Sequence, residues 1–374
     1  MSKLIHPGAR IGIIGAGQLG KMLAQSAQKM GYKVAMYDPN PSSCGFAVAH
    51  SKTVADFSDR EQLMAFVQSV DVVTYEFENI DGELLQELAN VGYLPQGTQL
   101  LLTTQDRLKE KAWLKSIDVK TVDYSPVSSL ADIDINQPSL LKTNRLGYDG
   151  KGQFLLKASD AFAELETEIE ALLNEHTMIQ EAFCDFEYEV SVIVARDTAG
   201  KISVFPPSIN QHVNGVLFTS DVNSAFDKEL TDKINQIANK IAEAGALVGV
   251  CGIEFFVTAD GQILVNELAP RPHNSGHYTI EACNVSQYDQ HILAITGRSL
   301  MEIRLLENSL MVNILGQHMG QLDEVMALYP DAMLHIYDKG EAKTQRKMGH
   351  FTFCACDSQS LLNSDFLQSW RQQF

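Results

Sequence analysis

A glycine pattern behind the first apolar run constrains the fold more than any other feature of this chain. The run "RIGIIG" leads into Gly15-x-Gly17-x-x-Gly20, a helix-like segment follows, and the next apolar run, "KVAMYD", ends at Asp38. This is the spacing of a dinucleotide-binding βαβ unit, in which glycines allow a tight turn close to a phosphate and the carboxylate binds a ribose hydroxyl. The pattern predicts a Rossmann-like domain at the start of the chain, and NAD is one ligand that such a domain could bind.

The order of apolar runs divides the 374 residues into three parts. Strand and helix patterns alternate in the first part, which indicates a parallel sheet with helices on its faces. In the second part strands and helices come in runs, as they do in α+β domains. We therefore expect an α/β and α+β protein, with a Rossmann-like N-terminal domain at 1–106, a central domain at 107–298 and a small mixed C-terminal domain at 299–374.

The charge balance limits the partners of the chain. Its 29 Lys and Arg stand against 47 Asp and Glu, and a formal net charge of −18 at pH 7 would repel nucleic acid and anionic membrane surfaces. No apolar run approaches the ~20 residues of a membrane span, and the beginning lacks the pattern of a secretory leader. We expect small-molecule substrates, no nucleic-acid or membrane partner, and a cytoplasmic location.

Two glutamates in "GIEFFVTADGQILVNELAPRP" suggest a metal site. Asp260-Gly261 is the signal of a two-residue hairpin turn, and that turn would place Glu254 directly opposite Glu267, with Cβ atoms ~5 Å apart. Two such carboxylates repel each other unless a proton or a cation lies between them. Oxygen ligands favour Mg²⁺, with Mn²⁺ as a second possibility. The alternative is a pair that faces solvent, which the apolar neighbours of both glutamates disfavour.

A glycine-rich segment with lysines, "LLKTNRLGYDGKGQFLL", lies between two strand patterns. Lys142 ends the first strand, and Lys151 lies within Gly147-x-x-Gly150-x-Gly152 before the second. Backbone N–H groups and lysine charges in such a hairpin suit the phosphates of a nucleotide. The order of a Walker A loop is absent. Because glycine-rich hairpins are common, the loop indicates a nucleotide only together with the opposed glutamates.

Five motifs in order resemble those of the N5-carboxyaminoimidazole ribonucleotide synthetase family, a branch of the ATP-grasp superfamily: "YEFENI", "QDR", "GYDGKGQ", "NELAPRPHNSGHYTIEAC" and "RKMGH". The resemblance covers essentially the whole chain. It implies a pre-ATP-grasp domain, an ATP-grasp domain and a C-terminal domain. It also implies a ligase that carboxylates 5-aminoimidazole ribonucleotide with bicarbonate and ATP, through carboxyphosphate, in purine biosynthesis. Mg²⁺ and a homodimer are expected from the family.

The same resemblance implies roles for individual residues. ATP would be bound by Arg107, Lys142, Gly147, Tyr148, Asp149, Gly150, Lys151, Gly152, Gln153, Glu181, Ala182, Phe183, Cys184, Glu189, His212, Asn266 and Glu267. The metal would be held by Glu254 and Glu267, and the catalytic set would be Arg271, His273, Asn274, Asp149 and Lys151. The aminoimidazole nucleotide would be bound by Gln18, Leu19, Glu76, Tyr148, Asp149, Lys339, Arg346 and Lys347.

Two features bear on these roles. The chain has Asn144 and Leu146 where the family has an arginine and a glycine, which affects the reach of the phosphate loop. The cluster from Lys339 to Lys347 offers a local trap for a phosphate monoester in an otherwise acidic protein. Without the resemblance, such a cluster is more often a solvated charged turn.

Three other functions compete with this hypothesis. One is another ATP-grasp ligase, such as a formate-using phosphoribosylglycinamide transformylase. A second is an NAD-dependent oxidoreductase built on the first domain, for which opposed glutamates at 254 and 267 would serve no purpose. A third is a nucleotide sensor that binds ATP without turnover.

Overall fold

The structure is a computed structural model that describes residues 3–145, 152–157 and 159–374. Most of the predicted phosphate loop lies outside the described residues, namely Leu146, Gly147, Tyr148, Asp149, Gly150 and Lys151. The ATP, catalytic and substrate roles expected of those residues stay predictions.

The N-terminal part is a parallel sheet with the strand order β3-β2-β1-β4. Its strands are β1 Arg10–Ile14, β2 Lys33–Tyr37, β3 Ser51–Thr53 and β4 Val72–Tyr75, and its helices are α1 Gln18–Lys29, α2 Arg60–Gln68 and α3 Gly82–Val91. The inner strands β1 and β2 are almost wholly buried, as expected when both faces of a parallel sheet are covered. The predicted Rossmann-like unit is confirmed.

Helices α4 Gln99–Thr104 and α5 Arg107–Ser116 lead into a second, antiparallel sheet with the order β5-β8-β6-β7. It consists of β5 Tyr124–Val127, β6 Ser139–Thr143, β7 Gln153–Leu156 and β8 Met178–Ala182, with α6 Ser159–Leu173 packed against it. Strand β5 begins only at Tyr124, because the backbone at Lys120 and Thr121 pairs with Val265 of another sheet.

The largest sheet has nine strands among the described residues, in the order β14-β13-β9-β11-β12-β15-β17-β16, with β10 on β9. Its first strands are β9 Tyr188–Arg196, β10 Ile202–Val204, β11 Ser208–Val213, β12 Val216–Val222, β13 Gly249–Val257 and β14 Ile263–Ala269. The C-terminal strands are β15 Ser309–Leu315, β16 Met333–Ile336 and β17 Lys347–Cys354. Because β12 pairs with β15, the C-terminal strands continue this sheet instead of forming a separate one.

Helices cover the large sheet and join it to the N-terminal part. They are α7 Lys228–Ala244, α8 Thr279–Ala282, α9 Gln287–Ile295, α10 Leu322–Leu328, α11 Ser358–Leu362 and α12 Asp365–Arg371. All nine residues of α9 are buried. Its Ile292 and Ile295 pack with Ile11 of β1 and with Leu23 of α1. The helix therefore fixes the N-terminal sheet against the central one. None of the described helices has the length and apolar character needed to cross a bilayer.

Candidate active site

Glu254 and Glu267 are register partners on β13 and β14, as the sequence predicted. The predicted turn between them is wrong, however. The N–H of Gly261 donates to the carbonyl of Thr258 at 2.8 Å, the N–H of Thr258 donates to the carbonyl of Gln262 at 3.1 Å, and Gly261 has a φ of 77°. These are the features of a three-residue loop that ends in a left-handed glycine, not of a two-residue turn.

A β-bulge restores the register that the longer loop would have lost. Phe255 pairs with Val265, whereas Glu254 pairs with Glu267, so Asn266 is the extra residue. The bulge brings Asn266 beside the carboxylates, with its Nδ2 3.4 Å from Glu254 Oε2. Its Oδ1 is buried and has no hydrogen-bond partner among the described residues. Two carboxylates and an unsatisfied amide oxygen form a donor set that suits Mg²⁺.

The two carboxylates have opposite electrostatic surroundings. Burial, together with repulsion from Glu267, raises the pKa of Glu254. Burial would raise the pKa of Glu267 as well, but the charges of Arg107 and Lys142 outweigh it and lower that pKa. Arg107 Nη1 lies 3.0 Å from Glu267 Oε2. Glu267 is therefore an anion at neutral pH, and a cation between the two groups would favour the ionised form of Glu254 as well.

A buried cluster of charges lies next to this pair. Glu181 accepts from Lys142 at 2.6 Å and from Lys111 at 2.9 Å. Burial would raise the pKa of Glu181, but the charges of these two lysines outweigh it and lower that pKa. Lys111 was missed in the sequence, although it follows Arg107 by four residues on α5 and so lies on the same helix face. Its Nζ also reaches the carbonyl of Asn266 at 3.3 Å.

Asn144, which stands where the family has an arginine, has a structural role in this chain. Its carbonyl accepts from the N–H of Arg107 at 3.0 Å, and its Oδ1 accepts from the N–H of Leu108 at 3.0 Å. The end of β6 is thereby tied to the first turn of α5, where the N–H groups of a helix need acceptors. Asn144 thus fixes the helix that directs Arg107 toward Glu267.

The remaining residues expected at the nucleotide fall along β7, β8, β9 and β11. His212 Nδ1 lies 2.7 Å from Glu189 Oε2. Burial would lower the pKa of His212, but the hydrogen bond that its ring donates to Glu189 outweighs burial and raises that pKa. Gln153 pairs with Lys142, and Ala182 ends β8. The other predicted residues of this group are Gly152, with a φ of 70°, exposed Phe183 and half-buried Cys184.

The expected catalytic residues Arg271, His273 and Asn274 divide into two groups. Arg271 Nη2 pairs with Glu78 Oε2 at 2.9 Å, and Glu78 belongs to the "YEFENI" motif without having been singled out in it. His273 Nε2 lies 3.5 Å from Glu254 Oε1, and burial together with the charge of Arg271 lowers the pKa of His273 to about 3. Asn274 instead makes a reciprocal amide pair with Asn313, at 3.0 and 2.8 Å. The structure therefore places Arg271 and His273 at the site and engages the Asn274 amide in the core.

The N-terminal glycine turn binds carboxylates of the protein itself. Glu76 Oε1 accepts from the N–H of Gly17 at 2.7 Å, and Asp38 Oδ2 accepts from the N–H of Ala16 at 2.9 Å. A Cβ at Gly15 would lie 2.7 Å from Glu76, so the glycine spacing here admits Glu76. Asp38 is used to hold the turn, and the ribose role that its spacing suggested is not supported. These contacts argue against a dinucleotide at this turn.

The C-terminal lysines reach the same region. The charge of Lys339 acts on Glu76, and that of Lys347 acts on Glu254 and His273. Lys21 Nζ of α1 donates to the carbonyl of Tyr337 at 2.9 Å, which joins the N-terminal helix to the basic segment. Gln18 and Leu19 form the first turn of that helix, which has no side-chain cap. Arg346 donates to the carbonyl of Glu341 at 3.2 Å.

A second cluster, Glu281, His335 and His350, brings possible metal ligands within 4.8 Å of one another. His335 Nε2 lies 2.6 Å from Glu281 Oε1, and the rings of His335 and His350 stack with centroids 4.5 Å apart and planes 8° apart. An imidazole binds a metal through an in-plane lone pair, and two parallel stacked rings do not direct their lone pairs at one point. This cluster has the geometry of a hydrogen-bonded stack.

Family models match the chain in three segments. They describe a ribonucleotide synthetase preATP-grasp domain at residues 9–105, an ATP-grasp domain at 112–288 and a phosphoribosylaminoimidazole carboxylase C-terminal domain at 309–364. Their order agrees with the resemblance that the motifs indicated.

Individual proteins resemble the chain along its whole length. N5-carboxyaminoimidazole ribonucleotide synthase of Bacillus subtilis (strain 168) is 47% identical over 360 residues, which cover 94% of this chain and 93% of the relative. An ADP complex of N5-carboxyaminoimidazole ribonucleotide synthetase has a TM-score of 0.94 at 43% identity and covers 100% of both chains. N5-carboxyaminoimidazole synthase of Aspergillus clavatus, in complex with ADP and 5-aminoimidazole ribonucleotide, has a TM-score of 0.87 at 26% identity, over 98% of this chain and 99% of that chain.

Proposed function

The chain belongs to the N5-carboxyaminoimidazole ribonucleotide synthase family, and we propose that it performs the family's reaction with the residues described above. It is an ATP-dependent ligase that carboxylates 5-aminoimidazole ribonucleotide with bicarbonate in purine biosynthesis. The products are N5-carboxyaminoimidazole ribonucleotide, ADP and phosphate. The reaction would take two steps in this chain, phosphoryl transfer to bicarbonate and then carboxylation of the exocyclic amine.

The opposed pair Glu254 and Glu267 is the observation that carries the assignment of the ATP site. Both carboxylates and the unsatisfied Oδ1 of Asn266 fit Mg²⁺, and Mn²⁺ would accept the same oxygens. When bound, the ion would neutralise charge on the phosphates of ATP. On the protein side, Arg107 and Lys142 supply positive charge next to Glu267. Glu181, the segment up to Cys184, Glu189 and His212 would hold the adenine and the ribose.

Phosphoryl transfer to bicarbonate depends mainly on position and charge. We propose that Arg271 and His273 hold bicarbonate so that one of its oxygens attacks the γ-phosphorus of ATP, giving carboxyphosphate and ADP. The Nη2 of Arg271 is fixed by Glu78 at 2.9 Å, and His273 lies against Glu254. Lys151 of the phosphate loop would close over the phosphates and exclude water from the reactive intermediate.

The second substrate would lie where the N-terminal turn meets the C-terminal lysines. Its phosphate would be held by the first turn of α1, at Gln18 and Leu19, together with Lys339, Arg346 and Lys347. Glu76, Tyr148 and Asp149 would contact its ribose or its aminoimidazole. The exocyclic amine then attacks the carbonyl carbon of carboxyphosphate, or CO₂ released from it, while Asp149 orients or deprotonates the amine.

The proposal also includes the oligomeric state, the location and the domain boundaries of the protein. We propose a homodimer in the cytoplasm, and a division of the chain at 1–106, 107–298 and 299–374. Size-exclusion chromatography with light scattering decides the first.

A coupled assay of ADP release tests the proposed function. Mg-ATP and bicarbonate are supplied with and without 5-aminoimidazole ribonucleotide, and a marked stimulation by the nucleotide is expected. The alternative transformylase would instead respond to formate and glycinamide ribonucleotide. Absence of stimulation by 5-aminoimidazole ribonucleotide would contradict the proposed reaction.

A further inference from the structure

The backbone of His273 is clamped on both sides. Its N–H donates to Gln287 Oε1 at 2.8 Å, and Gln287 Nε2 donates to its carbonyl at 2.8 Å. Gly252 on β13 allows the close approach, since a Cβ there would lie 2.6 Å from the Cβ of His273. The position of the imidazole beside Glu254 is thus fixed by groups that do not touch the ring nitrogens.

The ring itself is held by a chain of hydroxyl groups. His273 Nδ1 lies 2.8 Å from Ser275 Oγ, and Ser275 Oγ lies 2.6 Å from Ser191 Oγ. Asn210 Nδ2 donates to Ser191 Oγ at 2.9 Å. All four residues of this chain, Asn210, Ser191, Ser275 and His273, are buried or half-buried, and the two serines are each 1% exposed.

Asn210, at the far end of this series of hydrogen bonds, determines which group donates at each step. Asn210 Oδ1 accepts from the hydroxyls of Ser220 at 2.9 Å and Ser208 at 3.2 Å, so its amide nitrogen faces Ser191 and donates to it. The hydroxyl of Ser191 is then free to donate, and it donates to Ser275 Oγ, its shortest contact. Ser275 in turn donates to Nδ1 of His273.

We propose that Ser275 is a positioning residue that holds His273 as the neutral Nε2–H tautomer, with that N–H directed at the bicarbonate site. This inference rests on the proposed function only in that bicarbonate binds beside His273. With Nδ1 as the acceptor, Nε2 carries the proton and lies on the side of Glu254. The other tautomer would turn a lone pair toward anionic oxygens and repel them. A donor aimed at developing negative charge lowers the barrier of the phosphoryl step.

Side-chain NMR of ¹⁵N-labelled histidine reports the tautomer directly. The chain has ten histidines, and His273→Gln assigns the signal of His273 by its loss. The wild-type enzyme is expected to show the Nε2–H pattern. Ser275→Ala keeps only the longer contact to Nδ1, from the backbone N–H of residue 275 at 3.4 Å, and is expected to give a mixture of tautomers. Ser275→Thr, which keeps the hydroxyl, should restore the wild-type pattern. Ser208→Ala is the matched control, because it removes a buried hydroxyl that contacts Ser191 and Asn210 and has no hydrogen bond to Ser275 or His273.

Kinetics on the wild type and the three serine variants separate positioning from a general loss of structure. Ser275→Ala should raise the KM for bicarbonate or lower kcat by ~10-fold or more, with KM values for ATP and the aminoimidazole nucleotide within twofold of Ser208→Ala. An unchanged tautomer in Ser275→Ala overturns the proposal, as does a changed tautomer with bicarbonate kinetics equal to those of Ser208→Ala. If the wild type shows no nucleotide-stimulated ADP release, the proposed function fails, while the NMR comparison still decides the role of Ser275.

Discussion

Glu254 lies directly opposite Glu267 although the loop that joins their strands has an odd number of residues. The three-residue loop sets one register near the turn, and the bulge at Asn266 shifts it by one residue before the glutamates are reached. The same bulge places an amide oxygen beside the carboxylates. The bulge thus accounts both for the opposed carboxylates and for the third oxygen. Substitutions at Glu267 and at Asn266 test these two contributions separately.

Replacement of Glu267 by Gln should reduce bicarbonate- and nucleotide-dependent ADP release by ~100-fold or more. The change removes a carboxylate from the proposed metal site and leaves Arg107, 3.0 Å away, facing a neutral amide. Glu243→Gln on the exposed face of α7 makes the same chemical change far from the site. Near-normal turnover of Glu267→Gln, equal to that of the control, would remove Glu267 from the metal site.

Asn266→Ala tests the contribution of the bulge. We expect it to raise the Mg²⁺ concentration needed for half-maximal rate by ~10-fold, because the amide oxygen without a partner is then lost from the donor set. A Mg²⁺ titration of initial rate at saturating ATP measures this. Gln262→Ala changes an exposed amide on the same hairpin and should leave the titration unaltered. Equal titrations for both variants would show that Asn266 does not contact the ion.

The ionisation of Lys339 should be visible in the pH dependence of kcat/KM for the aminoimidazole nucleotide. Burial lowers the pKa of Lys339 to about 8. The ammonium is present below that pH and is lost as the pH rises through it, so its attraction for a phosphate falls in the same range. The value of kcat/KM for the aminoimidazole nucleotide is therefore expected to decline above pH ~8. Lys339→Arg keeps its charge at these pH values, and its profile should lack that decline; an identical decline in the variant would exclude Lys339 as its source.

Lys111→Met should destabilise the fold strongly. Glu181, 3% exposed, is held by Lys111 and Lys142, and removal of one cation leaves its buried charge only partly compensated. We expect a decrease of about 3 kcal/mol in the free energy of unfolding, measured by urea denaturation. Lys240→Met breaks an exposed pair with Asp118 and should cost about 1 kcal/mol or less. Equal decreases in the free energy of unfolding would show that the buried ion pairs of Glu181 contribute no more to stability than an exposed ion pair does.

Local patterns in the sequence predicted much of the fold. The alternating first part, the change to runs of strands and the β13–β14 hairpin are all present, because each depends on periodicity and turn residues close together in the chain. The loop length was wrong because Asp-Gly is compatible with both two- and three-residue loops. The pairing of the glutamates was predicted correctly through a turn that does not form, since the bulge compensates.

Contacts between distant segments were the part that the sequence did not reveal. Glu76 is 59 residues from Gly17, and nothing local shows that its carboxylate fills the glycine turn. Glu78 finds Arg271 at a separation of 193 residues. The Asn274 amide pairs with Asn313 for the same reason, since only the folded sheet brings β15 beside residue 274. Lys111 could have been found from its spacing to Arg107 on one helix.

The most direct test of the central claim follows the oxygen atoms of bicarbonate. Attack of a bicarbonate oxygen on the γ-phosphorus leaves that oxygen in the phosphate when the carboxyl group is transferred to the amine. With ¹⁸O-labelled bicarbonate, Mg-ATP and 5-aminoimidazole ribonucleotide, mass spectrometry of a single turnover should find one ¹⁸O in each phosphate. Phosphate that takes its new oxygen from water would contradict carboxyphosphate formation at the site of Glu254, Glu267, Arg271 and His273.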